Sequence, residues 1–199
     1  MRTSSVDALA QGHALSMDWA KQAAIVIGGS LFVALCARVT IPLPFTPVPL
    51  TLQNFAVLVL GLTLGGRRGF AALALYLAEG AAGLPVFSPM GPGGFAQLLG
   101  PTGGFLLAYP LVAGWTGFVF ERGSRTFARA AGAAMLGEIV LFAGGVSWLT
   151  VLTQSFVRAI QFGVYGFVFA EVIKVMFAAA VAVRVRRSPQ GHAPSEVQP

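Results

Sequence analysis

Apolar residues gather along this chain in six runs, separated by short basic turns or by stretches rich in proline and glycine. The runs cover residues 19–39, 50–64, 69–84, 102–120, 130–152 and 159–183. A helix needs roughly 20 apolar residues to cross a bilayer, and fewer where it is short or re-entrant. The pattern therefore predicts an all-α integral membrane protein with six transmembrane helices. The second and third runs are short, and tilted or partly re-entrant segments are expected there.

Two of the breaks are unusual. Residues 40–49 (TIPLPFTPVP) carry prolines that hold the backbone extended and stiff. Residues 84–94 (LPVFSPMGPGG), continuing to 100–104 (GPTGG), are rich in Gly and Pro, yet this region also holds Phe87, Met90, Phe95, Leu98 and Leu99. A loop this apolar wants something to cover, and a lid is one reading. A loop dipping into lipid is the other.

Composition agrees with the runs. Of 199 residues, 56% are hydrophobic and 10% charged, and the mean hydropathy is +0.77. A soluble domain carries roughly 25% charged residues to keep its surface wet, so lipid is the expected solvent here. The isoelectric point near 10.5 raises nucleic-acid binding as a possibility. The basic residues argue against it, because they sit in short clusters between apolar runs: Arg67/Arg68, Arg122/Arg125/Arg129 and Arg184/Arg186/Arg187. That is the positive-inside distribution. It puts both termini in the cytoplasm, with Arg38 and Arg158 outside, and it brings both unusual loops to the outer face.

Residues 1–18 are polar and lack the apolar core of a signal peptide, so they are read as a cytoplasmic tail. Residues 19–184 form the expected membrane domain. Residues 185–199, basic and then rich in Pro, Gln and Ser, are read as a disordered cytoplasmic tail. The single cysteine, Cys36, lies inside an apolar run and offers neither an intrachain disulfide nor a metal cluster.

Ionisable groups inside a membrane are costly and hence functional candidates. Glu79, Glu138, Glu171 and Lys174 qualify. Glu171 and Lys174 share a helix face at i and i+3. They either neutralise one another or recognise something polar, and buried pairs rarely repay their desolvation. Glu79 lies near the outer end of the third run, one turn from Tyr76, where it is either interfacial or functional. Glu138 is read as a hydrogen bond between helices. Thr51 can cap the second helix, while Gln53 and Asn54 bring two amides into its first turns. Gly103 and Gly104 open the fourth helix. Their free N–H groups suit a carboxylate, and their small size equally suits close helix packing.

Several kinds of machinery are missing. The chain has no phosphate-binding loop lysine, no H-E-x-x-H, and its two histidines, His13 and His192, lie in the tails. No nucleophile and base can be paired inside the membrane. No catalytic residue, metal or cofactor is expected, and energy must come from a partner or a gradient.

Three segments in order, residues 44–53 (PFTPVPLTLQ), 76–87 (YLAEGAAGLPVF) and 99–105 (LGPTGGF), resemble the BioY family. These are the biotin-binding S components of energy-coupling factor (ECF) transporters, and the resemblance spans about residues 38–185. It implies a six-helix bundle of the ECF S-component type, which captures biotin on the outer face of the plasma membrane for uptake. It also implies partners: a transmembrane coupling subunit and cytoplasmic ATP-binding subunits, though a chain of this kind acting alone is a further option. The acidic residue followed by lysine in the family's last helix corresponds to Glu171 and Lys174. Glutamate here replaces the shorter aspartate, and Asn54 replaces an expected threonine.

With biotin as the ligand, the chemistry of the candidate residues suggests roles. Glu171 would accept from the ureido N–H groups of biotin and Lys174 would donate to its carbonyl, with Gln53 able to do either. Tyr76, Phe87 and Tyr165 would pack the rings, Glu79 would stand at the site, and Gly103/Gly104 would receive the valerate carboxylate. The alternatives are an S component for thiamin or lipoate, or a membrane protein outside transport altogether.

Overall fold

The computed structural model describes residues 5–187, with side chains described for residues 18–186. In chain order it holds α1 (Ser5–Ala37), the two-residue strands β1 (Thr40–Ile41) and β2 (Leu50–Thr51), α2 (Gln53–Leu64), α3 (Gly66–Ala81) and α4 (Gly94–Leu99). Then follow α5 (Gly103–Glu121), α6 (Phe127–Thr153), α7 (Phe156–Ile160), a π-helical turn (Gln161–Tyr165) and α8 (Val168–Arg187).

Every apolar run of the sequence is helical over most of its length. Residues 18–37 of α1, with α5 and α6, are long and apolar enough to cross a membrane, and α7 with α8 meets the same test as one span bent by 46°. At 12 and 16 residues, α2 and α3 fall short of it, as the short second and third runs foretold. Helical backbone also reaches back to Ser5, through most of the segment read as a tail. The tail from residue 188 onward lies outside the described residues.

The sixth run departs from a single straight helix. Gly163 and Gly166 let neighbours press on the backbone at the bend: a Cβ on Gly166 would stand 2.7 Å from the Phe45 ring, and one on Gly163 would stand 2.8 Å from Leu149. Bends of this kind belong at π turns and glycines. At the preceding corner Gln154 adopts φ 51°, ending α6, and the Ser155 hydroxyl accepts from the Arg158 N–H to start α7.

Side-chain contacts fix which helix ends lie together. Arg68 donates to Gln22, joining the starts of α3 and the apolar part of α1, and Arg186 donates to the Thr63 carbonyl, joining the ends of α8 and α2. Glu121, at the end of α5, accepts from the Gly66 N–H at the first turn of α3 and lies 4.0 Å from Arg186. The carboxylate meets the positive end of that helix. Arg67, Arg68, Arg122 and Arg186 gather at this end of the bundle, away from Arg38 and Arg158.

The opposite end carries the two loops. Residues 42–49 close a hairpin whose strands pair Thr40 with Thr51 and Ile41 with Leu50. Arg38 reaches across to the Pro85 carbonyl, and the Trp148 indole donates to the Gly100 carbonyl at 2.9 Å. Between the two ends, a core of Leu, Val, Ala and Phe joins α2, α3, α5, α6 and α8. Backbones approach closely there because Gly61 has no side chain; a Cβ would meet the Ala113 carbonyl at 2.6 Å. Packing of this kind, rather than a hydrophobic drive, holds helices together in lipid.

Candidate functional site

A cavity lies at the loop end, walled by α2, α5, α6 and α8 and roofed by both loops. It holds about 550 Å³ of empty space, open solvent at its mouth included. Its walls are apolar: Val48 and Pro49 from the hairpin loop, Phe105 and Leu106 from α5, and Phe142 and Phe167 opposite.

The polar groups cluster in two places. Toward the loops stand Thr51, Gln53, Ser88 and Gln97. Gln97 accepts from the Gly93 N–H at 3.1 Å and donates to the Ser88 carbonyl, so it ties its own loop together. Deeper lie Asn54, Glu171 and Lys174. Lys174 Nζ donates to Glu171 Oε1 at 2.7 Å, and Asn54 Nδ2 donates to Glu171 Oε2 at 2.6 Å. The same Asn54 nitrogen donates to Glu138 Oε1 at 2.6 Å. Glu138 therefore makes the interhelical hydrogen bond expected of it, from α6 to α2, from behind the cavity wall.

The roof is latched. Thr46 donates its hydroxyl to the Phe162 carbonyl in the π turn at 2.6 Å and accepts from the Val48 N–H at 3.1 Å. Widened helical turns leave carbonyls available to such outside donors. On the other side Thr40 and Ser88 hydroxyls meet at 3.1 Å, joining the hairpin to the second loop.

Of the nine residues singled out from sequence, Gln53, Glu171 and Lys174 line the cavity together. Tyr76 is fully buried behind Gln53, which donates to its hydroxyl at 2.5 Å; that hydroxyl donates to the Val86 carbonyl at 3.1 Å. Phe87 packs edge-on against the Tyr76 ring, with centroids 5.4 Å apart. These two aromatics support the roof from beneath rather than face the cavity. Glu79 turns toward α1 and accepts from the Ser30 hydroxyl. Tyr165, in the π turn, is 75% exposed and away from the lining.

Gly103 and Gly104 are tightly packed, and the Gly103 N–H donates to the Gly100 carbonyl at 3.0 Å. A Cβ on Gly104 would run into Trp148 and stand 2.5 Å from the Gly144 carbonyl, and one on Gly103 would strike the Leu98 carbonyl. Both serve close packing at the start of α5. Thr51 does not cap α2: the N-cap is Leu52, without a side-chain capping bond, and Thr51 only accepts from the Gln53 N–H at 3.4 Å.

The sequence reading omitted Tyr109, Ser88 and Gln97, and gave Asn54 only a secondary place. Only Gln97 carries a signal in hindsight, as a lone amide in an apolar, glycine-rich loop. Nothing in the linear pattern says that they meet. Among the described residues no group of three His, Cys, Asp or Glu side chains is placed to hold a metal.

Comparison with known proteins gives one answer throughout. The chain is 35% identical to a protein named probable biotin transporter BioY of Pyrococcus horikoshii over 168 residues, 84% of this chain and 97% of that one. It is 38% identical to the biotin transporter BioY of Thermotoga maritima, over 81% of this chain and 95% of the relative. Its fold superposes on the crystal structure of the S-component for biotin from an ECF-type ABC transporter with a TM-score of 0.78 and 25% identity. That match covers 86% of this chain and 94% of the other. Since the BioY family profile also matches residues 4–191, the chain belongs to the BioY family.

Proposed function

We propose that this chain captures biotin at the loop end of its bundle, on the outer face of the plasma membrane, and presents it for uptake. The observation that carries the reading is the buried Glu171–Lys174–Asn54 cluster at the base of a loop-covered apolar cavity, in a chain of this family. The ureido ring of biotin offers two N–H donors and one carbonyl, fused to an apolar sulfur ring. Glu171 retains lone pairs to accept an N–H, and Lys174 retains two N–H donors for the carbonyl. Charge-assisted bonds of this kind, in a site shielded from water, are the strong ones. Phe105, Phe142 and Phe167 would flank the bicycle, and the valerate chain would run toward the roof near Ser88 and Thr102.

In this reading the arginine-bearing end faces the cytoplasm, in keeping with the positive-inside rule. A coupling subunit and ATP-binding subunits of an ECF module would power release there, with a solitary carrier as the second arrangement. Binding and transport, not catalysis, are the proposed activity.

Calorimetry on the detergent-purified protein with biotin, thiamin and lipoate tests the substrate. Tight binding of biotin alone is expected. Folded protein that ignores biotin, or prefers another vitamin, overturns the proposal.

A further inference from the structure

We infer that Glu138 is a positioning residue of the site: together with Glu171 it holds the Asn54 amide so that Oδ1 is presented as an acceptor to a ligand N–H. The inference rests on the reading that biotin occupies the cavity, and it assigns the second ureido N–H, the one Glu171 leaves unmet.

Asn54 is 3% exposed and lines the cavity from the first turn of α2. Its Nδ2 has two hydrogens, and both are committed, one to Glu138 Oε1 and one to Glu171 Oε2, each at 2.6 Å. Turning the amide over would set its oxygen against Glu171 Oε2, an acceptor because Lys174 pairs with that carboxylate. An amide's orientation is settled by its network, and here the Glu171–Lys174 pair settles it. The oxygen is thereby fixed on the other side of the group. It is buried and has no hydrogen-bond partner among the described residues. A buried carbonyl without a partner is uncommon and unfavourable, and a ligand donor reaching it removes that penalty.

Glu138 does not line the cavity; it stands on α6 behind Leu141, which does. It touches the ligand's surroundings only through Asn54. Glu171 is differently placed, because its other oxygen is held by Lys174. Without Glu138 the amide keeps one anchor and can rotate, so the acceptor loses its fixed direction. A merely structural Glu138 would affect stability and leave recognition of the N–H untouched. Recognition through a buried hydrogen bond discriminates sharply against ligands that lack the donor.

The experiment is calorimetry of full-length, detergent-purified protein with biotin and with its two ureido-N-methylated isomers, which replace one N–H each. The unaltered protein should bind at least one isomer about tenfold or more weakly than biotin. Glu138→Leu, which removes the acceptor at similar size, and Asn54→Leu should each weaken biotin about tenfold and shrink the penalty for that same isomer. In the Asn54→Leu background, Glu138→Leu should change biotin affinity by less than about twofold, because residues acting through one network are not additive. Thermal midpoints without ligand identify unfolded variants. If Glu138→Leu fails to fold, Glu138→Asp takes its place, with the carboxylate held one methylene short of Asn54 and the same direction of change expected. The inference is overturned if the unaltered protein binds biotin and both isomers alike, if a folded Glu138 variant keeps the full N-methyl penalty, or if the two substitutions add. Unaltered protein that binds no biotin would instead overturn the proposed function.

Discussion

Lys174 Nζ lies 2.7 Å from Glu171 Oε1, one turn back along α8, and each side chain keeps only about a tenth of its surface exposed. Removing one partner strands the other's charge, which costs about 3–5 kcal/mol for a buried pair. Lys174→Met should therefore lower the ligand-free thermal midpoint in detergent more than the double variant Glu171→Gln/Lys174→Met does. Both should lose biotin binding. A double variant less stable than either single one would contradict the neutralising role of the pair.

Gly104 separates packing from recognition. Gly104→Ala puts a methyl group into Trp148 and the Gly144 carbonyl, and overpacking costs about 1–3 kcal/mol. The expected readout is a lower thermal midpoint in the absence of ligand. A normal midpoint with weakened binding would return the glycine to a ligand-facing role.

Tyr165 is 75% exposed in the π turn. Tyr165→Ala should leave affinity unchanged and stability within about 0.5 kcal/mol, as expected for a surface position. Calorimetry showing a tenfold loss would place the ring at the ligand after all.

Tyr76 joins Gln53 to the second loop through one hydroxyl. Tyr76→Phe removes an acceptor and a donor together and leaves the Gln53 amide unpaired, at about 1–3 kcal/mol. Faster biotin release in stopped-flow is the expected result. An unchanged dissociation rate would separate the roof from ligand retention.

Orientation is open to chemical labelling. Cys36 is buried, so a cysteine introduced by Met90→Cys or Ser124→Cys can be read against a quiet background. In intact cells the position 90 thiol should react with an impermeant maleimide, and the position 124 thiol only after permeabilisation. The reverse pattern would invert the topology.

The sequence reading reached the helices and two of the three deep polar groups, for a physical reason. Solvation by lipid is a property of composition, so residues 102–120 and 130–152 could be located within a few residues of α5 and α6. Facing is another matter. A helix with lipid on one side and protein on the other is apolar on both, so nothing in the pattern told Tyr109, which lines the cavity, from Tyr165, which does not. Charge breaks that ambiguity because it cannot face lipid, which is why Glu171 and Lys174 were recoverable. Glycines carry no sign of whether they admit a ligand or a neighbouring indole; Gly104 required Trp148 to be in place. The bend in the last span was hidden in the same way, within an unbroken apolar run.

The shortness of α2 has a consequence for depth. Its 12 residues extend about 18 Å at about 1.5 Å per residue, against a hydrocarbon layer about 30 Å thick. With Gly65 and Arg67 at one face of a bilayer and α2 upright, Gln53 and Asn54 at the opposite end of the helix would stand ~12 Å, about two-fifths of the layer, below the other face. The loops would then fill the remaining thickness, and the exposed side chains of Phe95 and Leu99 suit contact with acyl chains. A ligand entering this cavity would shed its water before it meets the first deep polar group, and lipid thickness would then set how far it must travel.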